Sequence, residues 1–310
     1  MQSLKSLIKS ILPKPESSSL AMILYKGYGF ISRKKMTKAE LENDRASYIA
    51  QNTDTRFAIS REFDYICRAD KYANNGAGIE SNSDYFIQDI WGARKVTATK
   101  PARHYDVGSS VAGFIAHLLG ANQPTTLIDI RPLPSLNTSF LNLNGGGLQY
   151  LQADATNLEQ IADSSLESIS ALCSIEHFGL GRYGDPIDPM GWEKALLSFE
   201  RVLKIGGKMY ISVPVGQRDK VCFNAHRVYR PQTIIDTLKH CQIREMSYIV
   251  GLDTRLCMEY KDGKLHIDED GLGSIPDMKN WGVTGLFEFE KVGDKKVDPT
   301  TAAMDSRFWA

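Results

Sequence analysis

From residue 103 onward, short apolar runs alternate with amphipathic stretches. Runs near 103–107, 125–130, 148–152, 167–173 and 207–213 are too short for helices and are bounded by turn formers, so they predict strands. Between and after them, 111–119, 157–162, 190–203 and 231–240 space their apolar residues as helices do. Residues 244–251 and 283–292 add two strands, and 256–267 reads as a hairpin turning at Lys261-Asp-Gly263. Such alternation demands right-handed crossovers, which predicts an α/β fold: a doubly wound, mostly parallel, seven-stranded Rossmann-like sheet.

Ahead of that pattern, Asp84 can cap a helix from Tyr85 to about Val96, with Phe86, Ile90 and Ala93 on one face and Ile87 and Trp91 broadening it. Thr37-Lys-Ala-Glu40 has the form of a capping box and predicts a helix to about Ala50. The stretch ending in Asn74-Asn-Gly-Ala-Gly78 reads as a hinge. At the start, Leu4, Leu7, Ile8, Ile11 and Leu12 form an apolar stripe edged by Lys5, Lys9 and Lys14, and Pro13 and Pro15 stop the helix. That helix either packs on protein or lies on anionic lipid. The expected organisation is a basic amphipathic segment at 1–36, a helical accessory region at 37–80 and a main domain at 81–310. Within the main domain, 100–216 forms a cofactor half and 217–310 carries the acceptor and the final strands.

Charge alters this picture little. The 37 basic and 37 acidic residues cancel, so no global field points to nucleic acid. The cysteines at 67, 173, 222, 241 and 257 form no CxxC pair and read as reduced thiols. No run reaches the ~20 apolar residues that span a bilayer, and no small-residue cleavage site follows 20–25. The expectation is a cytoplasmic protein with the option of peripheral contact at the inner membrane face through residues 1–12.

The chemistry concentrates between His104 and Gly216. His104-Tyr-Asp-Val-Gly-Ser-Ser-Val-Ala-Gly113 is a strand, a sharp turn at Gly108 and a helix start with the form Gly-x-Ser-x-x-Gly. Ser110 stands where dinucleotide loops carry a glycine, which disfavours a pyrophosphate ligand and an NAD-dependent oxidoreductase. A sulfonium cofactor demands less of the loop. Asp106 at the strand's end would face the cationic amino-acid half of that cofactor. Asp129 follows Asp106 by 23 positions, where an acid accepts from two ribose hydroxyls. Asp154, before Ala155, ends the third strand and can take an adenine amine or cap the next helix. The expected cofactor is S-adenosylmethionine, held by Asp106, Gly108, Ser110, Gly113, Asp129, Ile130, Asp154, Ala155 and Ser174.

Past the fourth strand, Glu176 and His177 stand at the carboxyl edge of the sheet, where open α/β folds bind ligands. His226 follows the fifth strand over the same edge. Either histidine can serve as the base, with Glu176 beside the first. Asp185, Asn224 and Arg227 are candidates for binding a polar acceptor. No H-E-x-x-H or comparable spacing predicts a metal.

The order of Asp106–Gly113, Asp129, Asp154, Ser174–Phe178 and Glu200-Arg-Val-Leu-Lys-Ile-Gly-Gly207 resembles the class I S-adenosylmethionine-dependent methyltransferases. More narrowly, Tyr85-Phe-Ile-Gln-Asp-Ile-Trp91, Asp129-Ile-Arg-Pro-Leu133, residues 176–189 and Phe223-Asn-Ala-His-Arg227 resemble a bacterial family known as domain of unknown function 268. The resemblance spans about residues 80–235. It implies the methyltransferase-like sheet with a reversed final hairpin, and methyl transfer to an oxygen, or secondarily a nitrogen, of a glycan-related acceptor. A methyltransferase fold retained as an inactive scaffold in polysaccharide assembly is the alternative.

Overall fold

The computed structural model describes residues 35–52, 61, 84–132 and 147–293. The amphipathic segment at residues 4–12 and the hinge at 74–78 lie outside the described residues. The chain divides into two compact units, Met1–Glu80 and Ser81–Ala310. In the first, α1 (Lys38–Gln51) begins on the predicted capping box. Glu40 N donates to Thr37 Oγ1 at 3.1 Å, and Thr37 N donates to Glu40 Oε2 at 2.6 Å.

The second unit opens with α2 (Asp84–Thr99) and β1 (His104–Val107). A π-helical turn (Val111–Ile115) then runs into α3 (Ala116–Gly120). Next come β2 (Thr125–Asp129), β3 (Leu148–Gln152), β4 (Leu166–Leu172), α4 (Gly191–Val202) and β5 (Leu203–Val215). A small antiparallel pair, β6 (Lys220–Cys222) and β7 (His226–Val228), precedes α5 (Pro231–Thr237). The described residues end with β8 (Cys241–Val250), β9 (Asp253–Lys261), β10 (Lys264–Ile267), α6 (Glu269–Gly273) and β11 (Val283–Lys291).

The main sheet has the order β10-β9-β8-β11-β5-β4-β1-β2-β3. Strands β3, β2, β1, β4 and β5 are parallel, while β11 runs antiparallel to both β5 and β8. The seven strands from β3 to β8 are therefore the class I methyltransferase-like sheet, with a reversed strand inserted next to last. The predicted hairpin extends this sheet to nine strands, β9 pairing on β8. Both faces are covered because side chains alternate along each strand. On β5, Met209 and Ile211 join Leu196, Phe199 and Phe287 in one cluster, while Tyr210 joins Val96, Phe114 and Leu118 in the other.

Two sequence expectations need correction. Residues 157–162 form turns rather than a helix, with Leu158 at φ +45° and fully buried. The buried face of α2 is Gln88, Gly92 and Val96, and Phe86 is exposed. Gln88 is held inside by Ser212, whose Oγ donates to its Oε1 at 2.7 Å. Gly92 lets the helix close on the sheet, since a Cβ there would lie 2.9 Å from Leu172 Cδ1. Among the described residues no helix is long and apolar enough to cross a membrane.

Candidate active site

The carboxyl ends of β1 to β4 open onto a cavity of about 480 Å³, walled by Gly108, Asp129, Asp154, Ser174, His177 and Tyr183 among others. Its floor is the turn after β1. Gly108 sits at φ +78°, a conformation that favours glycine, and a Cβ there would come 3.2 Å from Ser174 Cβ. Ser174 Oγ donates to Val107 O at 2.8 Å and fixes the turn from the β4 side.

Asp106 does not reach this cavity. It is fully buried beneath the turn and organises it, accepting from Ser109 N at 3.0 Å, Ser109 Oγ at 2.9 Å and Ser170 Oγ at 2.5 Å. Burial pushes its carboxyl up to about 6, against the pull of those hydrogen bonds. Gly113 is also off the wall. Its missing side chain makes room for Asp89, whose Oδ2 would lie 2.4 Å from a Cβ.

The other cofactor candidates line the cavity: Gly108, Ser110, Asp129, Ile130, Asp154, Ala155 and Ser174. Asp154 spends one oxygen on its own turn, accepting from Thr156 N at 2.8 Å and Thr156 Oγ1 at 2.7 Å. Among the described residues no donor reaches its Oδ2, which leaves that oxygen for a ligand amine. Asp129 is bound by a neighbour that sequence reading did not single out. Arg131 Nε donates to Asp129 Oδ1 at 2.9 Å and Arg131 Nη2 to Oδ2 at 2.6 Å. Burial opposes ionisation of Asp129, but the Arg131 hydrogen bonds outweigh it and hold the carboxyl below its ordinary range. The same guanidinium lies 5.2 Å from the ring centre of Tyr183, another wall residue missed in the sequence. The only trace of either was the run Asp129-Ile-Arg131 and an aromatic among glycines at 179–184.

At the far end of the cavity stands His177, at the end of a 3-10 turn, Ile175–His177. Its Nδ1–H donates to Ala225 O at 2.7 Å, so Nε2 carries the lone pair. Burial first, then the charge of Arg182, lowers its pKa to about 4, and the imidazole is neutral at neutral pH. Glu176 is buried behind it with Oε1 at 3.7 Å from His177 Nε2, and among the described residues its Oε2 has no hydrogen-bond partner. Burial raises Glu176 to about 8, which makes it a neutral acid at pH 7. It is not on the cavity wall.

Of four further candidates, three have structural occupations and one lies outside the cavity. Arg227 is buried and donates to Phe178 O at 2.5 Å and Pro189 O at 3.2 Å, tying together the two ends of the loop over the cavity. Asp185 lines the cavity, yet its carboxylate accepts from Gly179 N, Gly181 N and Tyr183 N and so shapes that loop. His226 packs edge-on against Trp281 at 4.7 Å, away from the wall. Asn224 is exposed and lies outside the cavity. Among the described residues no group of three or more His, Cys, Asp and Glu side chains gathers as a cation site would.

Residues 150–236 match a family described as Caenorhabditis protein of unknown function, DUF268. That description names a nematode genus and does not carry the bacterial label of the sequence resemblance. No curated protein matches the chain. Among solved structures, the N-methyltransferase NodS of Bradyrhizobium japonicum WM9, in complex with S-adenosylhomocysteine, is 12% identical with a TM-score of 0.47 over 71% of this chain and 93% of its own. The 1,6-didemethyltoxoflavin-N1-methyltransferase of Burkholderia thailandensis, with 1,6-didemethyltoxoflavin and S-adenosylhomocysteine bound, is 14% identical, TM-score 0.43, over 66% and 82%. The [4+2]-cyclase SpnF is 13% identical, TM-score 0.45, over 71% and 85%. A cyclase among them shows how little of the chemistry such likeness carries.

Proposed function

We propose that this chain is an S-adenosylmethionine-dependent methyltransferase acting on a hydroxyl oxygen of a sugar-containing acceptor. The observation that carries the reading is the convergence of Asp129, Asp154 and His177, from three successive strand ends, on one cavity. Asp129 stands where a ribose diol is accepted, Asp154 offers a free oxygen to an exocyclic amine, and Gly108 admits a ligand against the backbone. The residues present fit an adenosyl cofactor. When bound, S-adenosylmethionine supplies an already activated methyl group.

The protein's own part is alignment and proton handling. His177 lines the cavity with an unprotonated Nε2, since its Nδ1–H is held by Ala225 O, and in this reading that nitrogen meets the acceptor hydroxyl. The proton of the acceptor hydroxyl passes to that nitrogen. Glu176, buried beside it as a neutral carboxyl, keeps its proton and turns a carboxyl oxygen, 3.7 Å from Nε2, toward the imidazolium as it forms. The loop 179–188, closed on itself by Asp188 N donating to Gly179 O at 3.0 Å, covers the acceptor and excludes water. The glycan class rests on the resemblance of residues 176–189 and 223–227. The cytoplasmic setting, with the option of peripheral membrane contact through residues 1–12, belongs to the same proposal.

Calorimetry with S-adenosylmethionine and S-adenosylhomocysteine tests it. Binding of both by the folded protein is the expected result, and binding of neither overturns it. A second reading, a non-catalytic binding subunit, is favoured by the low basicity of His177. It prevails if Asp129→Ala abolishes cofactor binding and the variant still performs the cellular role of the protein.

A further inference from the structure

Both oxygens of Asp129 are taken by Arg131, yet Asp129 is the carboxylate placed to receive a ribose diol. Oδ1 accepts from both the backbone N–H and the Nε–H of Arg131 at 2.9 Å, and Oδ2 accepts from Nη2–H. That fills three of the carboxylate's roughly four acceptor sites, so a diol that needs two of them displaces the guanidinium. Arg131 is able to yield. Its side chain is 54% exposed against 16% for Asp129, so it gives up the pair into solvent without being stranded in the core.

Where the displaced guanidinium goes is set by its surroundings. It already lies 5.2 Å from the Tyr183 ring, whose residue belongs to the loop over the acceptor end, and both residues line the cavity. The other acids on that wall hold partners of their own, and the open Oδ2 of Asp154 is the oxygen that the cofactor's amine takes in the reading above. Asp188 is bound by Lys194 at 2.6 Å, Asp185 by three backbone N–H groups, and Asp154 by Thr156. None of them is positioned by the fold to recapture Arg131. Its Nε–H and Nη2–H therefore become donors facing the space left for the acceptor.

We propose that Arg131 is an acceptor-binding residue held in reserve on Asp129, released when ribose takes that carboxylate, and that the group it then binds is an anion such as a phosphate or carboxylate on the acceptor. The inference rests on the methyltransferase reading above and adds two things to it: a substrate class, and an order in which the cofactor binds first. A planar forked donor suits a phosphate or carboxylate better than a neutral hydroxyl.

The test is calorimetry on the full chain with S-adenosylhomocysteine and with inorganic phosphate as the anion probe, in wild type and Arg131→Ala. In wild type, saturating S-adenosylhomocysteine tightens phosphate binding at least about fivefold, and phosphate tightens S-adenosylhomocysteine binding by the same factor. Arg131→Ala shows no such coupling, and it binds S-adenosylhomocysteine roughly two- to fivefold more tightly than wild type because the competitor is gone. Raising salt tightens S-adenosylhomocysteine binding in wild type by weakening the Asp129–Arg131 pair, and has no such effect in the variant. Equal phosphate affinity with and without S-adenosylhomocysteine in wild type overturns the proposal, as does coupling that survives in Arg131→Ala or weaker cofactor binding by that variant. Failure of the wild type to bind S-adenosylhomocysteine at all removes the methyltransferase reading and this one with it, whereas binding without coupling removes this one alone.

Discussion

His104 and Asp106, two positions apart on β1, are joined through the hydroxyl of Ser170. Ser170 Oγ donates to Asp106 Oδ1 at 2.5 Å, so it accepts from His104 Nε2–H at 2.8 Å, and Ser168 Oγ donates to His104 Nδ1 at 2.8 Å. One line of hydrogen bonds thus fixes a neutral imidazole under the turn that forms the cavity floor.

That line makes opposite pH demands at its two ends. Burial lowers His104 to about 3, so the unfolded chain binds the extra proton below its ordinary 6.5; stability is full above that pH and is lost as pH falls toward 3. Burial raises Asp106 to about 6 from 3.8, so here the folded chain binds the extra proton, and a cost present above pH 6 is relieved on acidification. Between about pH 4 and 6 the two slopes, each on the order of 1.4 kcal/mol per pH unit, oppose one another. Asp106→Asn unmasks the His104 slope, and its urea midpoint falls more steeply than wild type from pH 6 to pH 4. His104→Asn gives the reverse. Parallel pH profiles for all three proteins would contradict this account.

Under the proposed cofactor role of Asp129, Asp129→Ala removes the acceptor of the ribose hydroxyls. Hydrogen bonds to a charged group of this kind correspond to about a 10- to 100-fold loss of S-adenosylhomocysteine affinity, with the melting temperature of the free protein nearly unchanged. Calorimetry reads the first and a thermal melt the second. The sign is opposite to that expected for Arg131→Ala, although both variants break the same ion pair.

His177 offers a prediction that needs no acceptor. Its bond to Ala225 O requires the Nδ1–H tautomer, and burial keeps the ring neutral down to about pH 4. Nitrogen-15 imidazole spectra should show that tautomer throughout the neutral range. A midpoint near 6.5, or an Nε2–H tautomer, would remove His177 as the resting base.

Gly179 and Gly184 both have positive φ, +74° and +84°, but differ in surroundings. A Cβ on Gly179 would meet Asp188 O at 1.7 Å, while among the described residues nothing lies within 4 Å of one on Gly184. Gly184→Ala costs about 1 kcal/mol for its backbone conformation alone. Gly179→Ala must also open the loop, and its cost exceeds that of Gly184→Ala by about 1–3 kcal/mol. Urea unfolding of the two variants side by side measures the difference.

The sheet is legible in the sequence because strands buried on both faces leave dense apolar runs between turn formers, and an acid placed at a strand's end inherits a known location. Asp129, Asp154 and His177 are readable for that reason. Which way a side chain turns from such a location is not. Asp106 and Asp129 are equivalent by sequence, yet Ser109 and Ser170 draw the first under the loop while the second faces the cavity. Gln88 in the core of α2 escapes an apolar count because its burial depends on Ser212, more than a hundred positions away. The 157–162 stretch fails as a helix because Asp154 closes a turn with Thr156 and Leu158 enters the core from the left-handed region.

The antiparallel β11 has a consequence for how the chain is made. Strands β5 and β8 both precede it in synthesis, yet each is paired to it along most of its length and not to the other. Until Val283–Lys291 emerges from the ribosome, both strands present open edges, and Phe287 and Phe289 are missing from the core. The nascent sheet is in two parts, β3 to β5 and β8 to β10, until its last strand joins them. A chaperone that shields those edges would act in that interval, and a chain stopped short of residue 283 would remain in it.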